Sequence, residues 1–149
     1  MTWTELLKAE AESAYGATEG LIKMVDADGL DWKPADGANW MTTGQLLKHI
    51  LTACGFCCRG FVTGDWGMPE GTEMTDLPPE EMLPPAEKMP TVASIGEALE
   101  GLAADRKLAF EMIDEVGEEG LGTRMTAAPW NPQAEFPIGN TDRTAGAML

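Results

Sequence analysis

At 149 residues the chain has the length of one domain, enough to bury most of the surface that it exposes when unfolded. Its 25 acidic against 10 basic residues give a net charge of -15, which repels phosphate backbones and anionic lipid head groups and excludes nucleic acid and membrane surfaces as partners. The three cysteines, Cys54, Cys57 and Cys58, are crowded together and odd in number, which excludes a secreted disulfide scaffold and suits a reducing cytoplasm.

The N-terminus, "MTWTELLKAEAES", lacks a basic stretch followed by an apolar one, and no run approaches the ~18 apolar residues of a spanning helix, so a cytoplasmic protein is expected. Trp3, Leu7, Ala11, Ala14, Leu21, Met24 and Val25 recur mostly at three- and four-residue steps and predict a first helix over Thr4 to Val25. Asp26, Asp28 and Gly29 end it with turn chemistry. "LDWKPADGAN" is irregular, because Pro34 disfavours helix at Lys33 and Asp36-Gly37 asks for a tight turn.

Thr42 and Gln45 have capping-box spacing, and Leu46, Leu47, Ile50, Leu51, Cys54 and Phe61 carry the apolar face on, predicting one continuous second helix over Thr43 to Val62. Gly44, Gly55 and Gly60 weaken such a helix by up to ~1 kcal/mol each, which close packing against a neighbour would offset. From Gly64 to Pro90 the periodicity disappears into a long crossing loop. Ser94 and Glu97 form another capping pair, and Ile95, Leu99, Leu102, Arg106, Ala109, Ile113 and Val116 predict a third helix over Ile95 to Val116. Arg106 interrupts that seam, with Asp105 beside it; the expectation is an arginine stem that packs while its head reaches water or an acid. Beyond Gly117 a short β-ribbon is conceivable, although Pro129, Pro132 and Pro137 argue against regular strands. "NTDRTAGAML" reads as the capped start of a helix that reaches Leu149. The fold class is therefore all-α: an up-down bundle with a long crossover between helices two and three and a short fourth helix.

The only histidine, His49, lies in "LDWKPADGANWMTTGQLLKHI". This segment resembles the approach to helix two in the DinB-like superfamily of small four-helix bundles. The resemblance rests on Trp32 and Pro34, then Trp40, the cap Thr42, Gly44, Leu46 with Leu47, and His49. The length, the long loop and the "PWNP" before the last helix also suit that family. The resemblance implies a cytosolic four-helix bundle, a homodimer through bundle faces, and a divalent ion, zinc or nickel, held by His49 with two further histidines from a His-x-x-x-His on helix four. Such an ion would activate a small thiol or water as nucleophile, a transferase or hydrolase type of chemistry. Here those two histidines are missing, and one imidazole does not make a site that needs three or four protein ligands. Three explanations stay open: a sequence cut short of helix four, a member that has lost metal binding, or recruitment of Asp105 or Asp142 as ligands. Gln45, Ala53, Asp105 and Arg106 are the candidate pocket-lining residues.

The thiols offer a separate chemistry. Cys54 and Cys57 have redox C-x-x-C spacing, but periodicity places them three turns into a helix, whereas redox dithiols open one. Cys54 shares a helix face with Cys57 and Cys58, so the three could bind a soft metal, but small core cysteines beside Ala53 are the plainer reading. His49 and Cys57 lie too far apart on one helix, ~12 Å, to share an ion. Three functions follow: a metal-assisted enzyme using His49, a metal-free and non-catalytic stress-associated binding or assembly bundle, or a dithiol redox protein using Cys54 and Cys57.

Overall fold

The structure is a computed structural model that describes residues 1–38, 40–71, 77–78 and 84–140. The described residues form four α-helices, one hairpin and three single-turn 3-10 helices: α1 (Trp3–Ile22), α2 (Thr43–Ile50), α3 (Gly55–Thr63), α4 (Ile95–Thr123), β1 (Met125–Ala128) and β2 (Asn131–Pro137), with the 3-10 turns at Ala27–Gly29, Ala86–Lys88 and Ile138–Asn140. The stretch expected to start a fourth helix of the bundle, including Asp142, lies outside the described residues. Among those described, no helix is long and apolar enough to cross a membrane.

Capping decides where α1 begins: the Thr2 hydroxyl accepts from Glu5 N at 3.2 Å, and the Glu5 carboxylate accepts from Thr2 N at 2.7 Å. It stops at Ile22, short of the expected Val25, because Met24 and Val25 donate three residues back to Leu21 and Ile22 and so tighten the chain into a turn. The Thr42–Gln45 capping box opens α2 as expected. At α4 only half a box forms: Ser94 accepts from Glu97 N, but the Glu97 carboxylate accepts from Ala93 N.

The axis of the fold is α4, and side-chain pairs fix how the others lie on it. Trp3 and Thr4 meet Glu118, Lys8 meets Asp114 and Tyr15 meets Asp105, so α1 runs antiparallel to α4. Lys48 meets Glu97, Leu51 lies against Gly101 and Gly55 against Asp105, so α2 and α3 run parallel to α4. A parallel partner obliges the intervening chain to travel back along the pair, which is why the Gly64 to Pro90 connection is long.

Three expectations are corrected. The second helix is not continuous: Leu51 to Cys54 form turns between α2 and α3, because the chain must bring the first backbone N–H groups of α3 onto a buried carboxylate. The buried face of α4 is Ala98, Leu102, Asp105, Ala109 and Val116, so Asp105 and not Arg106 interrupts the apolar seam. Packing on two sides, by α1 and by α2 with α3, turns that face by one residue. The fold is mostly helical, but it carries a short ribbon where the prolines argue against regular strands. Met125 pairs with Pro137 and Thr126 with Phe136 in an antiparallel ribbon that turns at Pro129 and Trp130. In two strands each has a free edge, where Pro132 and Pro137 need donate to no partner.

Gly117, at φ 64° and ψ 174°, breaks α4 where the third helix was expected to end, and residues 118–123 then wind on. The core falls into two clusters. Tyr15, Ile22, Leu47, Leu51, Ala98 and Leu102 form part of one, and Val62, Val116, Leu121 and Ile138 make the other.

Candidate functional site: a thiol cluster at the break between two helices

Asp105 is the buried charged residue of the described core, only 5% exposed. A carboxylate there must be hydrogen-bonded throughout. Its Oδ2 accepts from Gly55 N at 3.0 Å and from the Tyr15 hydroxyl at 2.6 Å, and its Oδ1 accepts from Phe56 N at 3.3 Å. The two backbone donors are the otherwise unpaired N–H groups at the start of α3, whose positive dipole end favours a negative partner. Gly55 is required for the approach, since a Cβ there would stand 2.3 Å from the Asp105 carbonyl oxygen.

This contact places the cysteines. Cys54 is the residue before α3, and its carbonyl accepts the first intrahelical bond, from Cys58 N at 2.8 Å. Cys54 is exposed; Cys57 and Cys58 are half-buried. The C-x-x-C run therefore opens a helix instead of lying three turns inside one, which removes the reason for setting redox chemistry aside. The thiol that acts most strongly on the Cys54 sulfur is Cys58, not the Cys57 that the motif spacing singles out.

The electrostatics separate the three thiols. Cys58, donating to Cys54, draws the Cys54 thiol down to about 6; burial opposes this, the Tyr15 hydroxyl adds to it, and the Asp105 charge works against it. Cys58 is pushed up, chiefly because it is the donor to Cys54 and also because it is buried. Burial raises Cys57, with the nearby Cys54 and Asp105 charges adding to it. One exposed thiolate beside protonated, half-buried thiols is the usual division between an attacking and a resolving cysteine.

The other candidates lie elsewhere. Arg106 pairs with Glu12 and lies over the Phe110 ring, and Ala53 is exposed. Gln45 lines a cavity of about 340 Å³ with Lys33, Pro34, Trp40 and Glu87. Its amide is fully used there, donating to Ala86 O and Met89 O and accepting from Thr42 N, so it ties the crossing chain to α2. His49 is an exposed residue in the last turn of α2.

A family model of the DinB superfamily matches residues 10–144. The chain belongs to the DinB superfamily. No curated protein and no solved structure matches it. DinB proteins are generally associated with a divalent metal ion. Among the described residues, no group of three or more His, Cys, Asp and Glu side chains is disposed to hold one. The residues described do not supply that donor set. The sequence reading names Asp105 as a candidate pocket-lining residue but puts Arg106 on the apolar seam; the available signal for burial at Asp105 is its place three residues after Leu102 and four before Ala109.

Proposed function

We propose that this DinB-superfamily protein acts in thiol–disulfide exchange, with Cys54 attacking and Cys58 resolving. The observation that supports it is the place of the exposed Cys54 at the start of α3, one turn before the half-buried Cys58 whose backbone N–H donates to the Cys54 carbonyl. The oxidant is a small or protein-borne disulfide. The Cys54 thiolate attacks one of its sulfurs, the S–S bond breaks, and one half departs as a thiolate while the other stays on Cys54 as a mixed disulfide. Cys58 then gives up its proton and attacks the Cys54 sulfur, which expels the second half as a thiolate. Two protein thiols have been oxidised and one external disulfide reduced to two thiols, with the protons passing to the products.

Side chains four apart on a helix hold their Cβ atoms ~5–6 Å apart, against ~3.5–4.5 Å across a disulfide. Closing the bond therefore draws the first turn of α3 inward, where Cys54, as the cap, is the freer partner. A bond formed in this way is readily reduced, as an exchange disulfide must be.

The test is equilibration with a small disulfide at neutral pH, followed by alkylation and peptide mapping. The expected product is a Cys54–Cys58 disulfide that leaves one of the three thiols free, with a mixed disulfide trapped on Cys54 in Cys58→Ala. Three thiols that stay free until the protein is denatured would overturn the proposal and favour the metal-free assembly bundle. One equivalent of zinc or nickel lost in His49→Ala would favour the family's metal chemistry instead.

A further inference from the structure

One side chain joins three helices. The Tyr15 hydroxyl from α1 and the first two N–H groups of α3, from Gly55 and Phe56, all end on the carboxylate of Asp105 in α4, and Tyr15, Gly55 and Asp105 are buried. Of the two backbone donors Gly55 is the closer, at 3.0 Å against 3.3 Å. Its N–H lies in the rigid peptide plane between Cys54 and Gly55, so Cys54 cannot shift without swinging it.

A bond between Cys54 and Cys58 requires such a shift. The two Cβ atoms must close from ~5–6 Å to ~3.5–4.5 Å, and Cys54, outside the first turn of α3, does most of the moving. A hydrogen bond of 3.0 Å weakens once its partners part beyond ~3.2 Å. Asp105 cannot follow, because its own backbone already lies so close to Gly55 that a Cβ there would stand 2.3 Å from the Asp105 carbonyl oxygen. We infer that Asp105 is a redox latch: with the thiols reduced it locks the start of α3 onto α4, and formation of the Cys54–Cys58 disulfide takes the Gly55 N–H off it and loosens the joint of α1, α3 and α4. This rests on the thiol-exchange reading above, in which the two thiols give two electrons and two protons to an external disulfide that leaves as two thiols. A buried carboxylate short of a donor must be reached by water, so the loosened joint opens to solvent. By linkage the latch opposes the bond in turn, which keeps the disulfide easily reduced.

Amide hydrogen exchange, followed by nuclear magnetic resonance in the reduced protein and in protein oxidised with hydroxyethyl disulfide, tests the latch. The first N–H groups of a helix have no intrahelical partner, so protection at Gly55 reports Asp105 alone. The Gly55 amide should exchange slowly in the reduced protein and at least about tenfold faster in the disulfide form, while Leu102 inside α4 stays slow in both. A cross-link by itself restricts the chain, so Gly55 exchange that is unchanged or slower after oxidation overturns the inference. So does an equal acceleration in Cys58→Ser given the same treatment, since that variant cannot form the bond. If peptide mapping finds no Cys54–Cys58 disulfide in the treated parent, the exchange reading has failed and the latch falls with it. If the disulfide is present and Gly55 stays protected, the exchange reading stands and only the latch is lost.

Discussion

Gly55 lies against Asp105 so closely that its own N–H donates to the carboxylate at 3.0 Å, while a side chain at the same position would collide with the Asp105 backbone. Gly55→Ala should therefore cost about 1–3 kcal/mol by overpacking. Urea unfolding would show the loss. The same change should blunt the low-pH reactivity of Cys54, since it pushes the start of α3 off the carboxylate.

Cys58→Ala should raise the Cys54 titration from about 6 toward the ordinary thiol range, because Cys58 is the chief donor to its sulfur. Alkylation near pH 7 would slow by up to roughly 30-fold, as the thiolate fraction falls from about nine-tenths to a few per cent. Cys57→Ala should leave the rate near that of the parent. Stopped-flow alkylation checks both.

Stability should peak at mildly alkaline pH. Cys54 titrates lower in the folded chain than in the unfolded one, so from about 6 up to the ordinary thiol value the unfolded chain binds the extra proton and stability rises with pH. Cys57 and Cys58 are shifted the other way. Above the ordinary thiol value they keep protons that the unfolded chain loses, so stability falls again. Denaturation midpoints under reducing conditions should trace this rise and fall, and Cys54→Ser should remove the acid-side limb.

His49→Ala should change stability by no more than about 0.5 kcal/mol, as expected for an exposed position. It should also leave the Cys54 alkylation profile in place. Elemental analysis of the parent and the variant, alongside that profile, separates a thiol centre from a histidine-held ion.

Much of the frame was legible from single residues. Thr42 and Gln45 announced the start of α2, Gly117 the break in α4, and the Trp32 to His49 pattern the DinB superfamily. The break at Leu51 to Cys54 was not legible, because apolar periodicity continues through it. α3 follows α2 along the same side of α4, so the spacing of buried residues hardly changes where the helix stops. What ends it is a carboxylate 50 residues away that claims the Gly55 N–H, and local sequence carries no mark of so distant a partner. The same blindness affected Asp105 and Arg106. Neighbouring positions on a helix can exchange inside for outside when a second packing partner turns the buried face, and the sequence of one helix does not show where its partners lie.

The pairing of α1 with α4 also governs how the chain can reach this structure. Trp3 and Glu118 are 115 residues apart, Lys8 and Asp114 are 106 apart, and Tyr15 and Asp105 are 90 apart. Helical proteins owe their fast folding to local contacts, and here the central contacts are among the least local that the chain permits. On a ribosome α1 emerges first, yet Asp105, Asp114 and Glu118, which bind its side chains and first backbone N–H groups, follow only with α4. Folding should thus be slower than that of an up-down bundle of similar size, with its slow step at the closure that joins Tyr15, Gly55 and Asp105.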